Sequence, residues 1–394
     1  MTALTFEEAR ACVLRETIVA MEPESVPLSE AAGRVLAEEI RADRDYPPFP
    51  RSARDGFAAR AADLPGTLRR MGEVRAGEVF KGKVSAGEAV EIMTGAPMPA
   101  GADVVVMVEH TVCVGDDVTT ERILKPGENF SPRGVEARAG DTVLTPGTRI
   151  DYTHVALLAT VGYTEVRVYR QPRVAILPTG DEIVEPNETP EPYQIRNSNA
   201  ASLAVQVRRA GAIPLVLGVA RDNYESTRAL VERGLEADFM LLSGGVSAGK
   251  YDLVEKVLAE YGAEFFFDRV KIQPGQPLVF GRARGKFFCG LPGNPGSTMI
   301  TFEAIAKAGL EKVGGLALPS LRLLRAALMR PLRQKTGLTR FVPSRLTNDG
   351  ATVEPVGSQG SGDVAALGRA NSFIVTDPTR AEFNTGELVR VMLL

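Results

Sequence analysis

From residue 173 to residue 312 the chain alternates short apolar runs with helical stretches, and no other feature restricts its fold as much. Residues 174–177 form a buried-strand run, residues 198–210 have helical spacing, and residues 215–219 form a second strand run. A helix follows over 226–235, a strand over 239–242 and a helix over 252–260. After a Gly/Pro-rich stretch at 274–277, an apolar run at 287–291 leads into a last helix over 297–312. Such alternation predicts a doubly wound α/β domain with its ligand at the carboxyl ends of the strands.

The flanking sequence has a different texture. Thr5-Phe6-Glu7-Glu8 has the form of a capping box, and helical spacing behind it runs to about residue 21. A second helix is expected over 29–42, ended by Tyr46-Pro47-Pro48-Phe49-Pro50. Short β-type runs at 90–93, 104–108 and 112–114, separated by Gly, Pro and Asp, predict a small β domain. Mixed structure then returns, with a helix over 152–160, so the β domain reads as an insertion into a two-piece segment. Beyond residue 321, short runs at 353–356, 373–375 and 388–393 with Gly-rich turns predict a β-barrel tail. The expected division is therefore a two-piece mixed domain (1–50 and 130–172), an inserted β domain (51–129), an α/β domain (173–318) and a barrel (319–394).

Composition narrows the function. Net charge is −3 with no basic stripe, so nucleic acid is not an expected partner. No apolar stretch approaches the ~20 residues of a membrane span. The opening Met1-Thr2-Ala3-Leu4-Thr5 has no charged-then-apolar signal layout. Three widely spaced cysteines, Cys12, Cys113 and Cys289, fit a reducing compartment, and the expected location is the cytoplasm. Cys289 lies within Lys286-Phe287-Phe288-Cys289-Gly290 and reads as a core residue. With only His110 and His154 and no Cys-x-x-Cys, a His/Cys zinc site is excluded.

Four loops stand where an α/β sheet holds its ligand. Ser243-Gly244-Gly245-Val246-Ser247-Ala248-Gly249-Lys250-Tyr251-Asp252 is a Gly-rich turn between a strand and a helix, suited to a phosphate or merely to tight packing. It also scores as a Walker A loop, but Tyr251 stands where Ser or Thr would hold magnesium, which excludes a P-loop NTPase. Thr179-Gly180-Asp181-Glu182 follows the first strand and Arg221-Asp222-Asn223 the second. Glu182, Asp222 and Asp252 thus bring carboxylates to three strand ends, a set suited to magnesium. Taken singly, each acid is more often a helix cap or a solvated loop residue. Pro292-Gly293-Asn294-Pro295 is a rigid loop that serves equally as a binding platform or a helix start. In the inserted domain, Ser52-Ala53-Arg54-Asp55-Gly56-Phe57-Ala58 and the stretch from Thr94 to Asp103 read as turns. These residues reach a magnesium-assisted enzyme acting on a phosphorylated small molecule.

The same segments, in order along nearly the whole chain, resemble the molybdopterin molybdenumtransferase family, which includes the E domain of gephyrin. They are Ser52-x-x-Asp55-Gly56-Phe57-Ala58, Thr94-Gly95-Ala96, Gly101-Ala102-Asp103, Gly127-Glu128-Asn129, Thr179-Gly180-Asp181-Glu182, Ser198-Asn199, Ser243-Gly244-Gly245-Val246-Ser247, Pro274-Gly275-x-Pro277, Leu291-Pro292-Gly293-Asn294-Pro295 and Gly360-Ser361. The resemblance implies a four-domain homodimer that hydrolyses adenylyl-molybdopterin with magnesium, releases AMP and places molybdate on the dithiolene sulfurs. It implies catalytic roles for Asp55, Thr94, Glu182, Asp222 and Asp252, with Asp222 and Asp252 holding the metal. It further implies that residues 243–247 (Ser243, Gly244, Gly245 and Ser247 among them) and 292–295 (Pro292, Gly293, Asn294, Pro295) cradle the pterin phosphate, with Ser361 beside them. A molybdopterin adenylyltransferase is an implied partner. The chemistry is of phosphoryl type, in which positioning and charge neutralisation carry most of the acceleration.

The sequence departs from the family pattern in two places. Gln273 and Gln276 stand where lysines usually flank Pro-Gly, and Arg269 and Lys271 are the candidate replacements for that charge. After Arg133-Gly134, Glu136 follows Val135 where the family more often has Glu-Asp. Two other functions compete. A molybdopterin adenylyltransferase resembles only residues 173–315, and a gephyrin-like scaffold would carry a long linker and a second enzyme domain.

Overall fold

A computed structural model describes residues 2–245 and 253–394, so Ser247 and Asp252, with the helix start expected at 252, lie outside the described residues. Compactness divides the chain into two units. One comprises residues 1–37, 146–151 and 166–394, the other residues 38–145 and 152–165.

The first unit is built on a six-stranded mixed sheet. Its spatial order is Ile213–Val216, Arg173–Pro178, Phe239–Ser243, Lys286–Leu291, Pro277–Ala283, Glu264–Arg269. The first four strands run parallel, as their apolar runs predicted. The last two are antiparallel additions at one edge, absent from the sequence reading. Helices cover both faces, as both faces of a parallel sheet require. One core packs Ser198–Arg209 and the helical run 295–313 on one face; the other packs Tyr224–Gly234 and Leu253–Glu260 on the opposite face. The last helical run is continuous but carries a π-helical turn, Phe302–Ala306. Cys289 is fully buried, and burial pushes its thiol far up, as befits a core residue.

The tail of this unit is a closed five-stranded barrel. Thr339–Leu346 pairs with Thr352–Pro355, which pairs with Leu323–Leu328, then Leu388–Leu393 and Ser372–Val375, which returns to Thr339–Leu346. Closure leaves no free edge within the ring. The short strand Ile272–Gln273 adds parallel to Thr339–Leu346, with Gln273 opposite Arg340. At the amino end, Thr5 and Glu8 form the expected capping box and start the helix Phe6–Glu16.

The helix expected over 29–42 is not formed. A 3-10 turn, Leu28–Glu30, gives way to Gly33 at φ +82°, and Val35 and Leu36 then make bridges to Arg149 and Val168. Buried Ala31, Val35, Leu36 and Ile40 fall at helix-like spacing, but a left-handed glycine and extended pairing hold them instead.

In the second unit the six-stranded sheet runs Val104–Met107, Gly56–Ala59, Glu88–Ile92, Gly66–Val74, Asp117–Thr120, Val112–Val114. It is open between its first and last strands and has an apolar cluster on each face. The chain enters through Arg51–Ser52 and leaves through Phe130–Ser131, and these two strands pair antiparallel. The helix Tyr152–Thr160 forms where its spacing placed it.

Candidate active site

Hydrogen bonding at the carboxyl ends of the parallel strands continues past the strands and draws their loops together. Thr179 donates its N–H to Ser243 O, Gly244 to Leu291 O and Gly180 to Ala220 O, at 3.0–3.1 Å. These loops enclose a cavity of about 940 Å³, large enough for a cofactor-sized ligand. Glu182, Asp222, Ser243, Gly244, Gly245, Pro292, Gly293, Asn294 and Pro295 all line it. The structure thus brings together nine of the site residues named from the sequence.

Each wall has a local cause. Gly244 and Gly245 adopt φ of +90° and +64°, and a Cβ on either would lie 2.8 Å from an oxygen of Thr179. Only glycine permits this turn to lie against the Thr179 loop. Asp222 is held by its own N–H, which donates to Asp181 Oδ1 at 3.0 Å, while Arg221 Nη1 donates to the carbonyls of Asp181 and Ile183. Thr298 Oγ1 donates to Pro292 O, and Pro295 opens the helix Pro295–Thr301, which fixes the loop at 292–295. Asn294 Nδ2 donates to Ser361 Oγ at 2.9 Å, which ties this loop to the barrel segment.

Five buried polar residues stand in the cavity wall: Thr179, Asn197, Asn199, Thr227 and Ser243. Among the described residues, Thr179 Oγ1 and Asn199 Oδ1 have no hydrogen-bond partner, and buried polar atoms are seldom left so. In the sequence, Thr179 and Asn199 stand out only by their place in motifs, because nothing in a linear pattern marks an unpartnered atom.

A second cavity of about 560 Å³ shares Pro277, Pro292 and Asn294 with the first. Gln273, Gln276, Ser361 and Arg340 line it. Arg340 Nε is buried without a partner among the described residues, so a guanidinium donor remains available there. Arg269 and Lys271, expected to replace the missing lysine charge, line neither cavity. Both are exposed, and Lys271 lies near the Glu8 carboxylate, whose value it helps to lower. Arg340 shares the second cavity with both glutamines.

Asp55, Thr94, Arg133 and Glu136 belong to the second unit. Asp55 Oδ1 accepts the Thr94 N–H at 2.7 Å, and this bond, then the Thr94 hydroxyl, hold the carboxyl below the usual carboxylate range. Gly56 beside it is required, since a Cβ there would fall 1.9 Å from Val106 O. Arg133 pairs with Asp45, and Glu136 with Arg51, both at 2.7 Å.

Among the described residues, no group of three or more His, Cys, Asp or Glu side chains stands close enough to hold a metal ion. Glu182 and Asp222 line the same cavity, and magnesium commonly takes one or two carboxylates and completes its shell with substrate phosphate and water. No described helix is long and apolar enough to cross a membrane.

Fold and cavity together define a multidomain protein built on a doubly wound α/β domain with a ligand-sized cavity at the carboxyl ends of its parallel strands. Residues 4–162 match the MoeA N-terminal region (domain I and II), residues 175–312 the probable molybdopterin binding domain, and residues 325–394 the MoeA C-terminal region (domain IV). A molybdopterin molybdenumtransferase of Staphylococcus epidermidis is 34% identical, covering 100% of this chain and 96% of that one. One from Staphylococcus aureus is 34% identical over 94% of this chain and 90% of its own length. The crystal structure of the molybdopterin biosynthesis moeA protein from Pyrococcus horikoshii superposes with a TM-score of 0.82 at 29% identity, covering 100% of both chains. The chain belongs to the molybdopterin molybdenumtransferase family.

Proposed function

We propose that this chain catalyses the reaction its relatives are named for, as a transferase that inserts molybdate into adenylyl-molybdopterin with magnesium-dependent release of AMP. The observation that carries this reading is that one cavity is lined by Glu182, Asp222, Ser243, Gly244, Gly245 and the loop at 292–295 together. A phosphoanhydride needs its negative charge offset and its reacting phosphorus held in place. Glu182 and Asp222 would hold magnesium, which supplies that charge. The Ser243 hydroxyl and the 292–295 loop hold the pterin phosphate. The second cavity receives the oxyanion, with Arg340 in the place of the family's lysines. For Asp55 and Thr94 we keep the catalytic role that the family resemblance implies, and we assign the working form to a homodimer in a reducing cytoplasm, in keeping with the free thiols of Cys12, Cys113 and Cys289.

The test is insertion by purified protein supplied with adenylyl-molybdopterin, magnesium and molybdate, followed by AMP release and cofactor formation. Asp222→Asn should reduce AMP release by about a hundredfold or more while its melting temperature stays near that of the unmodified protein. Near-normal turnover of this variant across a magnesium titration would remove Asp222 from the metal site. Attachment of AMP from ATP, in place of its release, would instead identify an adenylyltransferase.

A further inference from the structure

We propose that Asn199 is a positioning residue that makes the Ser243 hydroxyl a hydrogen-bond donor to the anionic group of the bound substrate. The proposal rests on the reading of the larger cavity as the molybdopterin site. Asn199 lies in the first turn of the helix Ser198–Arg209, is 8% exposed and lines that cavity. Its Nδ2 stands 2.7 Å from Gly293 O and 2.8 Å from Ser243 Oγ. A backbone carbonyl can only accept, so the atom facing Gly293 is the nitrogen, and the orientation of the amide is settled.

Two consequences follow from this orientation. Both Nδ2 hydrogens are used, one on the 292–295 loop and one on Ser243, so one side chain sets the spacing of the two loops that enclose the ligand. Ser243 Oγ, having accepted from Asn199, directs its own hydrogen elsewhere. Ser243 is 1% exposed and lines the cavity, and that hydrogen has no acceptor among the described residues. A buried hydroxyl with an accepted bond and a free proton is a prepared donor for an anion.

Asn199 Oδ1 gives independent support. It is buried, in a residue more than nine-tenths buried, with no partner among the described residues, which a purely structural tie between loops does not require. An apolar or fully paired side chain would hold the loops without leaving an orphaned acceptor beside the cavity.

The experiment is a titration of the magnesium-loaded full chain with molybdopterin, using the unmodified protein, Asn199→Ala, Ser243→Ala and the double variant. Each single variant should bind about tenfold more weakly, as the loss of one charge-assisted hydrogen bond implies. Because Asn199 acts through Ser243, the double variant should bind within about twofold of either single one. Losses that multiply to about a hundredfold would show two independent contacts and overturn the proposal. Asn199→Asp, nearly isosteric, guards against misfolding of the alanine variant. Its carboxylate can donate to neither Gly293 O nor Ser243 and would draw the serine proton to itself, so it too should weaken binding about tenfold. Unchanged affinity in a folded Asn199→Asp protein would overturn the proposal by a second route. Failure of the unmodified protein to bind molybdopterin would instead overturn the functional reading, and this inference with it.

Discussion

At the scale of single residues, the cavity depends on positions where one atom more would not fit. Gly244→Ala or Gly245→Ala would place a methyl against Thr179 on a left-handed backbone, a strain of about 1–3 kcal/mol. Each should lower stability in denaturant unfolding by that amount and weaken molybdopterin binding; an alanine tolerated with full affinity would show that this turn does not shape the wall. Asp55 makes a prediction in pH. The Thr94 N–H and hydroxyl lower its carboxyl value, so its contribution to stability is fully present above the ordinary value and lost as pH falls through the lowered one. The gap in unfolding stability between the protein and Asp55→Ala should therefore be widest near neutrality and close below about pH 4. A gap that widens on acidification would contradict the hydrogen bond. Arg340 shows where sequence reading reached its limit. The departures at Gln273 and Gln276 are legible, but local sequence offers only Arg269 and Lys271, a few residues upstream, as the cations beside them. The residue opposite Gln273 is Arg340, brought there by a strand pairing across a long sequence separation that no local pattern encodes. Arg340→Ala should raise the molybdate concentration for half-maximal insertion by about tenfold, as the loss of a charge-assisted contact implies, and Lys271→Ala should leave it unchanged. The opposite result would return the charge to Lys271.

At the scale of elements, legibility followed how local each cause is. Parallel strands announced themselves because burial on both faces makes them apolar throughout, and the Thr5–Glu8 box is complete within one turn. The false helix over 29–42 shows the converse, since spacing alone does not separate a helix from an extended segment whose partners, Arg149 and Val168, lie far along the chain. The antiparallel strands Glu264–Arg269 and Pro277–Ala283 were missed for a related reason: the prolines and glycine between them looked like a loop, yet the sheet edge captures both flanks. The helix carrying Asn199 has its own local signal. Asn197 caps it by accepting the Ala200 N–H at 3.1 Å. Asn197→Ala should destabilise the protein by about 1 kcal/mol, a typical loss for a missing cap. If urea unfolding shows no change, the cap is not what starts this helix.

At the scale of the molecule, the first unit is held by a core that ignores the order of its parts. One buried cluster takes in Phe6 and Val13 from the amino-terminal helix, Val174, Phe239 and Cys289 from the α/β sheet, and Phe341, Phe373 and Met392 from the barrel. Composition drew boundaries at residues 173 and 319 because the texture of the sequence changes there, and texture reports local structure, not the destination of each apolar face. The Phe6 and Phe341 rings meet edge to face with centroids 5.4 Å apart, joining the first helix of the chain to the barrel. Phe6→Ala and Phe341→Ala should each lower stability by about 3–5 kcal/mol, the usual range for a buried aromatic truncated to alanine. Because the rings are partners, the double variant should lose less than the two separate losses combined, by about 0.5–1.5 kcal/mol. Val231→Ala provides the comparison: Val231 is fully buried in the cluster on the other face of the sheet, so its loss should simply add to that of Phe6→Ala. Guanidinium unfolding of these variants decides the matter. Strict additivity of Phe6→Ala and Phe341→Ala would mean that the helix and the barrel are stabilised separately, and that no shared core joins them.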